Sequence, residues 1–190
     1  MDNQPHVNNW EALRQQPVHA WEWPRIVVGV PMERTMAHAD DVFFNFLAIA
    51  QNGVPFIKQN YTRTDVARNK MAMQLLQSDF THLLMLDVDH IHPTDIVQRL
   101  ARWVVADPGK QVIGGLNFRR GEPYEPCCFL IGPDGRYYAP AEWERGLVKV
   151  DIIGTGSILI SREVFERMQP PWFYNIYDRV WEELQARSIR

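Results

Sequence analysis

Asp87 and Asp89 stand one residue apart at the end of a solid apolar run, Leu83-Leu84-Met85-Leu86. Side chains alternate along an extended chain, so Asp87 and Asp89 point to one side and Val88 to the other. In open parallel sheets ligands gather beyond the carboxyl ends of strands, which makes this an expected position for chemistry. Two carboxylates so close raise one another's pKa by repulsion, and a bound divalent cation removes that cost. Their oxygens suit hard ions such as Mg²⁺ or Mn²⁺, which commonly complete their shell with substrate phosphate and water. His90 and His92 follow closely, and a histidine in such a place is ordinarily a loop residue. The plain alternative is a loop start in which Asp89 turns toward the cap of the next helix.

Upstream lies Thr64-Asp65-Val66-Ala67-Arg68-Asn69-Lys70. Arg68 precedes Ala72 by four residues and Leu75 by seven, so it continues an apolar helical stripe into the first turn. Helix amino ends and strand carboxyl ends share one edge in such folds, so Arg68 is expected to point toward Asp87. An arginine there pairs with the carboxylate, contacts a phosphate or lies against a nucleotide; the alternative is a side chain that snorkels to solvent. Gly154-Thr155-Gly156, between two apolar runs, permits either a tight turn or close backbone approach to a ligand.

The elements that position these residues follow from periodicity. Ile26-Val27-Val28-Gly29-Val30 reads as a strand stopped by Pro31. A helix is expected from about His38 to Asn52, with Val42, Phe43, Phe46, Leu47 and Ala50 as its inward stripe and Gly53 just beyond it. A second strand runs from Val54 to about Tyr61. A second helix, capped by Thr64 or Asp65, continues to about Ser78, with Ala67, Met71, Ala72, Leu75 and Leu76 inward. His82 to Leu86 is the third strand, and Pro93 suits the opening of a helix that buries Ile96, Val97, Leu100 and Val104. A fourth strand is expected at Gln111 to Phe118. Residues 119 to 150, rich in glycine, proline and tyrosine, read as hairpins or loops. Strand character returns at Val148 to Ile153 and at Ser157 to Ile160, before a short helix capped by Ser161 and ended by Gln169-Pro170-Pro171.

This alternation indicates a single α/β domain with a mostly parallel central sheet flanked by helices. The 190 residues suit one domain, and 46% hydrophobic with 23% charged residues excludes a disordered chain. Residues 1–24 read as a tryptophan-rich arm expected to pack on the domain, 25–175 as the domain itself and 176–190 as a helical tail. A net charge of −3 gives no general electrostatic case for binding nucleic acid or anionic membrane. Cys127 and Cys128 are adjacent, a spacing that suits neither a disulfide nor a zinc site and points to a reducing compartment. Neither a secretory leader nor an apolar run of about 18 residues is apparent, so a cytoplasmic protein is expected.

Taken in order, these pieces resemble the GT-A glycosyltransferases, in particular the compact family-2-like enzymes of bacteria and phages. The resemblance is carried by Val28-Gly29-Val30-Pro31, Ala67-Arg68-Asn69, Leu86-Asp87-Val88-Asp89 with Pro93, and Val112-Ile113-Gly114-Gly115. Gly154-Thr155-Gly156, then Ser161-Arg162-Glu163-Val164-Phe165 before Pro171-Trp172-Phe173, complete it. It implies a nucleotide-diphosphate-sugar donor and an acceptor of unspecified kind: a glycan, a protein or a nucleobase. Pro31, Arg68 and Asn69 would then hold the nucleotide, Asp87, Val88 and Asp89 the ribose and metal, and Gly154, Thr155 and Gly156 the border of the sugar or acceptor pocket. The metal, Mn²⁺ or Mg²⁺, would sit on Asp87, Asp89 and His90, with Arg119 or Arg120 as a basic neighbour for the departing diphosphate. The family usually continues into an acidic catalytic residue, a helix and a strand with a metal-binding histidine. Here Trp181 to Arg187 reads as a short polar helix with no strand after it, which makes a shortened or partner-completed enzyme part of the expectation. Asp151, Glu182 and Glu183 are the candidate general bases.

Two other readings compete. A nucleotide-sugar-binding remnant would keep the donor pocket without turnover. Leu86 to His90 also resembles the first motif of haloacid-dehalogenase-like phosphatases, with a nucleophilic first aspartate. That motif normally ends the first strand, whereas two βα units precede it here, and Lys149-Val150-Asp151 supplies the remaining residues poorly.

Overall fold

The computed structural model describes residues 23–32, 40–60, 62–143 and 145–177. In chain order the elements are β1 (Ile26–Met32), α1 (Asp40–Ala50), β2 (Phe56–Asn60), α2 (Thr64–Leu76), β3 (His82–Leu86), α3 (Ile96–Ala106) and β4 (Val112–Gly114). They continue as β5 (Cys128–Ile131), β6 (Tyr137–Tyr138), β7 (Ile152–Ile153), β8 (Ser157–Ser161) and α4 (Arg162–Arg167). Most of the expected arm, residues 1–22, and Glu182 and Glu183 of the tail lie outside the described residues. Among the described residues no helix is long and apolar enough to cross a membrane.

The main sheet has the order β2-β1-β3-β8-β4. β2, β1 and β3 are parallel, as consecutive βα units require. β8 then inserts antiparallel between β3 and β4. A smaller sheet, β6-β5-β7, takes β5 and β6 from the stretch expected to be hairpins and β7 from the end of the strand expected at Val148 to Ile153.

Every residue of β3 is buried because helices cover both faces of the sheet. Leu84 and Leu86 pack with Ile49 of α1 and with Ile96, Val97, Leu100 and Val104 of α3. Leu83 and Met85 face the other way, onto Ala67, Met71, Ala72 and Leu75 of α2 and Phe165 of α4. Each such leucine removed from water contributes about 1.5–3 kcal/mol, so the two layers fix the strand and everything mounted on its end. Gly29 lets α2 come close: a Cβ there would lie 2.7 Å from Met71 Sδ and 3.0 Å from Leu83 Cδ1.

Several boundaries differ from expectation for identifiable reasons. β1 does not stop at Pro31 but runs to Met32. β3 pairs with β1 only as far as Gly29. Val28 N–H donates toward β2 (Pro55 O, 3.0 Å), so alternation turns position 31 toward the side where β3 has already ended. The missing proline N–H costs no ladder bond there. The buried face of α1 is built on Asn45 and Ile49, whereas Phe43 and Leu47 of the expected stripe are exposed. Asn45 donates to His92 O (2.6 Å) and accepts from His92 N (2.9 Å), and this paired bond sets the helix rotation. Arg63, not Thr64 or Asp65, occupies the cap position of α2. β4 ends at Gly114, because the chain beyond it leaves the sheet to approach residues 125–127. Ser161 does cap α4 by position, but its hydroxyl makes no capping bond.

Candidate functional site

The ladder between β3 and β8 continues one step past β3, where Asp87 N–H donates to Gly156 O at 2.9 Å. The loop after β3 therefore lies beside the segment that enters β8. Val88 packs on the layer of Leu84 and Leu86. Asp87 continues the side of Leu83 and Met85, where α2 lies, and its Oδ1 accepts from Arg68 Nη2 at 2.8 Å. The expected contact across the sheet edge is thus present. Arg68 is largely buried, and its Nε has no hydrogen-bond partner.

Asp89 is more open. Its Oδ1 lies 2.8 Å from His90 Nδ1, and its Oδ2 accepts from Arg120 Nη2, which also donates to Asp89 O at 3.1 Å. Partial burial works against the charge of Asp89, but the His90 ring and the Arg120 guanidinium outweigh it and hold the carboxyl below the ordinary value.

One ligand atom from each of Asp87, Asp89 and His90 falls within 4.8 Å of the others. Two carboxylates with one imidazole form a donor set that fits a divalent metal ion. Arg68 takes only one oxygen of Asp87, and monodentate ligation needs only the other. His92 does not join the cluster. Its Nε2 lies 3.0 Å from Asp87 O, and burial pushes its pKa down, so the neutral ring donates to that carbonyl and braces the loop.

The three residues open into a cleft of about 280 Å³. Arg119 and Arg120 form its basic rim, and Asn117, Cys127 and Gly154-Thr155-Gly156 form the facing wall. The glycines serve chain-to-chain approach. A Cβ at Gly154 would meet Cys127 Cβ at 2.9 Å and Cys127 O at 3.1 Å, and one at Gly156 would meet Asn117 Oδ1 at 3.0 Å. Gly154 N–H donates to Cys127 O at 2.6 Å, and Cys127 N–H to Asn117 O at 2.7 Å, so three separate segments are laced into one wall.

Other candidates sit elsewhere. Pro31 is buried within β1 and does not line the cleft. Asn69 is spent on structure: its Nδ2 donates to Asp65 O (2.9 Å) and Phe173 O (2.5 Å), and its Oδ1 accepts from Trp172 N (2.9 Å) and Phe173 N (3.2 Å). Asp151 Oδ2 accepts from Ile131 N at 2.8 Å in the small sheet, away from the cleft lining. Asn117 and Cys127 are wall residues that no sequence signal singled out, because they come from the irregular stretch before β5. A second hollow of about 200 Å³ opens at the opposite edge, beside Arg25, Pro55 and Phe80, without a comparable cluster of ligating groups.

No family model matches the chain, and no curated protein matches it. Among solved structures it is similar to A197 from STIV, with 20% identity over 80% of this chain and 72% of that one and a TM-score of 0.54. It is also similar to a CMP:2-keto-3-deoxy-manno-octonic acid synthetase in complex with CTP, with 14% identity over 74% of this chain and 76% of that one and a TM-score of 0.42. The first likeness is one of fold alone. The second is looser still.

Proposed function

We propose that this protein is a metal-dependent glycosyltransferase that moves a sugar from a nucleotide-diphosphate-sugar donor to an acceptor. The observation that carries the reading is the convergence of Asp87, Asp89 and His90 at the carboxyl end of the central strand, under a basic rim. These three residues would hold Mn²⁺ or Mg²⁺, which when bound supplies Lewis-acid stabilisation of the charge that develops on a departing diphosphate.

The chain's own groups have separable tasks. Arg68 fixes the rotamer of Asp87 and neutralises it, which lets a second carboxylate stand nearby. His92 fixes the main chain between the two aspartates. The laced wall of Gly154, Thr155 and Gly156 offers main-chain groups and one hydroxyl to the donor, while the rim arginines face its anionic end. Asn69 acts as a brace for the Trp172-Phe173 segment and not as a donor contact, and Pro31, outside the cleft lining, has no part in holding the donor.

The test is a thermal-shift screen of nucleoside diphosphates and their sugars, with and without Mn²⁺, followed by assay of nucleoside diphosphate release. A rise that needs both ligand and metal is expected, on the order of 3 kcal/mol at a hundredfold excess over the dissociation constant. Asp89→Ala should abolish it. Stabilisation with no diphosphate release over hours would replace the transferase reading with that of a nucleotide-sugar-binding protein.

A further inference from the structure

Each aspartate of the cleft is held by an arginine, and the two pairs differ in kind. Arg68 and Asp87 are 13% and 26% exposed, and Arg68 stands on a helix packed against the sheet. Arg120 and Asp89 are 68% and 54% exposed, and Arg120 comes from the irregular stretch between β4 and β5. Breaking the first pair would strand a partly buried charge. Breaking the second exchanges one solvated partner for another at little cost.

Arg120 uses one nitrogen, Nη2, to bond both Oδ2 and the main-chain carbonyl of Asp89. Oδ1 of the same carboxylate is already turned to His90. Both oxygens of the more exposed candidate ligand are therefore engaged, one of them by a group with the charge sign of a metal ion. Two guanidiniums against two carboxylates leave the acidic pair formally balanced. A divalent cation added alone upsets that balance, whereas a cation arriving with a diphosphate restores it.

We infer that Arg120 is an internal counter-ion that holds Asp89 until a cation replaces it there, and then passes to the diphosphate. This rests on the reading of the cleft as a metal and diphosphate site. A guanidinium forks onto phosphate oxygens as well as onto a carboxylate, so the transfer trades one charge-assisted pair for another. Arg68, locked by burial, stays on Asp87. The exchange couples the two ligands: each removes the obstacle to the other.

Mn²⁺ binding to the full chain, followed by the electron paramagnetic resonance of free Mn²⁺, tests the exchange in wild type and Arg120→Ala. Without anion, Arg120→Ala should bind Mn²⁺ about fivefold more tightly, the scale of an exposed ion pair. At saturating Mn²⁺, the same variant should bind inorganic pyrophosphate several-fold more weakly. A residue that merely braces its loop would weaken both, so the opposite signs are the signature. Arg119→Ala removes a neighbouring charge that pairs with Glu125 instead and leaves Asp89 held, so its Mn²⁺ affinity should change less. Wild-type Mn²⁺ binding that Arg120→Ala leaves unchanged or weakens would overturn the counter-ion role while the metal site stands. Failure of wild type and variant alike to bind Mn²⁺ would overturn both.

Discussion

Arg68 Nη2 lies 2.8 Å from Asp87 Oδ1, an ion pair that joins the amino-terminal part of α2 to the end of β3. In a parallel βα arrangement the start of a helix and the end of a strand meet at one edge, so the pair closes that edge chemically as well as sterically. Of the two arginine–aspartate pairs at the cleft it is the sheltered one.

Arg68→Ala should therefore cost stability, by about 1–3 kcal/mol, because it leaves a partly buried carboxylate without its charged donor. Urea unfolding measures the loss. Asp87→Asn in the same background should recover part of it, and a double-mutant cycle in which the two losses simply add would show that the pair contributes nothing.

Asn69→Ala should release the Trp172-Phe173 segment, since one amide makes four bonds to it and to Asp65. A loss of about 2 kcal/mol is expected from stranded polar groups. Amide exchange at Trp172 and Phe173 should accelerate while that of β3 does not. Uniform acceleration along the chain would contradict a local role.

Gly154→Ala should damage the cleft wall from the side opposite the aspartates. The new methyl meets the Cys127 main chain, which cannot rotate away, so overpacking of about 1–3 kcal/mol is expected. Gly53→Ala is a useful contrast, because there the strain would come from a φ of +73° with open space around it. Nucleotide-dependent stabilisation should vanish in the first variant and survive in the second.

Acid should destabilise the protein through His82. The ring is buried in the β3 strand beside Trp23, and burial pushes its pKa down to about 4 from an ordinary 6.5. The unfolded chain thus takes up the proton first as pH falls, so stability is intact above about 6.5 and is lost progressively down to about 4. The loss from this group is on the order of 3 kcal/mol. His82→Leu should flatten that part of the pH–stability curve, and an unchanged slope would assign the acid sensitivity elsewhere.

Much of the site was readable because it sits on local pattern. The apolar run of β3, the stripe of α2 and the position of Arg68 on it place the Arg68–Asp87 contact without any long-range information. α1 shows the limit of such reading. Its apolar residues admit more than one inward face, and the choice was made by Asn45 bonding the main chain of His92, a partner far away in sequence. Asn69 shows the same limit from the functional side: a polar residue near a cleft looks like a ligand until its bonds to Trp172 and Phe173 are seen.

The sequence by itself determined three parallel βα units, the two-sided burial of β3 and an acidic pair at its tip, because periodicity records which side chains face a core. Only the tertiary structure decided that β8 lies antiparallel beside β3, and hence that Gly154 to Gly156, Cys127 and Arg120 surround the aspartates. Pairing between distant strands depends on edge hydrogen bonds and interlayer packing that the residues of neither strand encode alone.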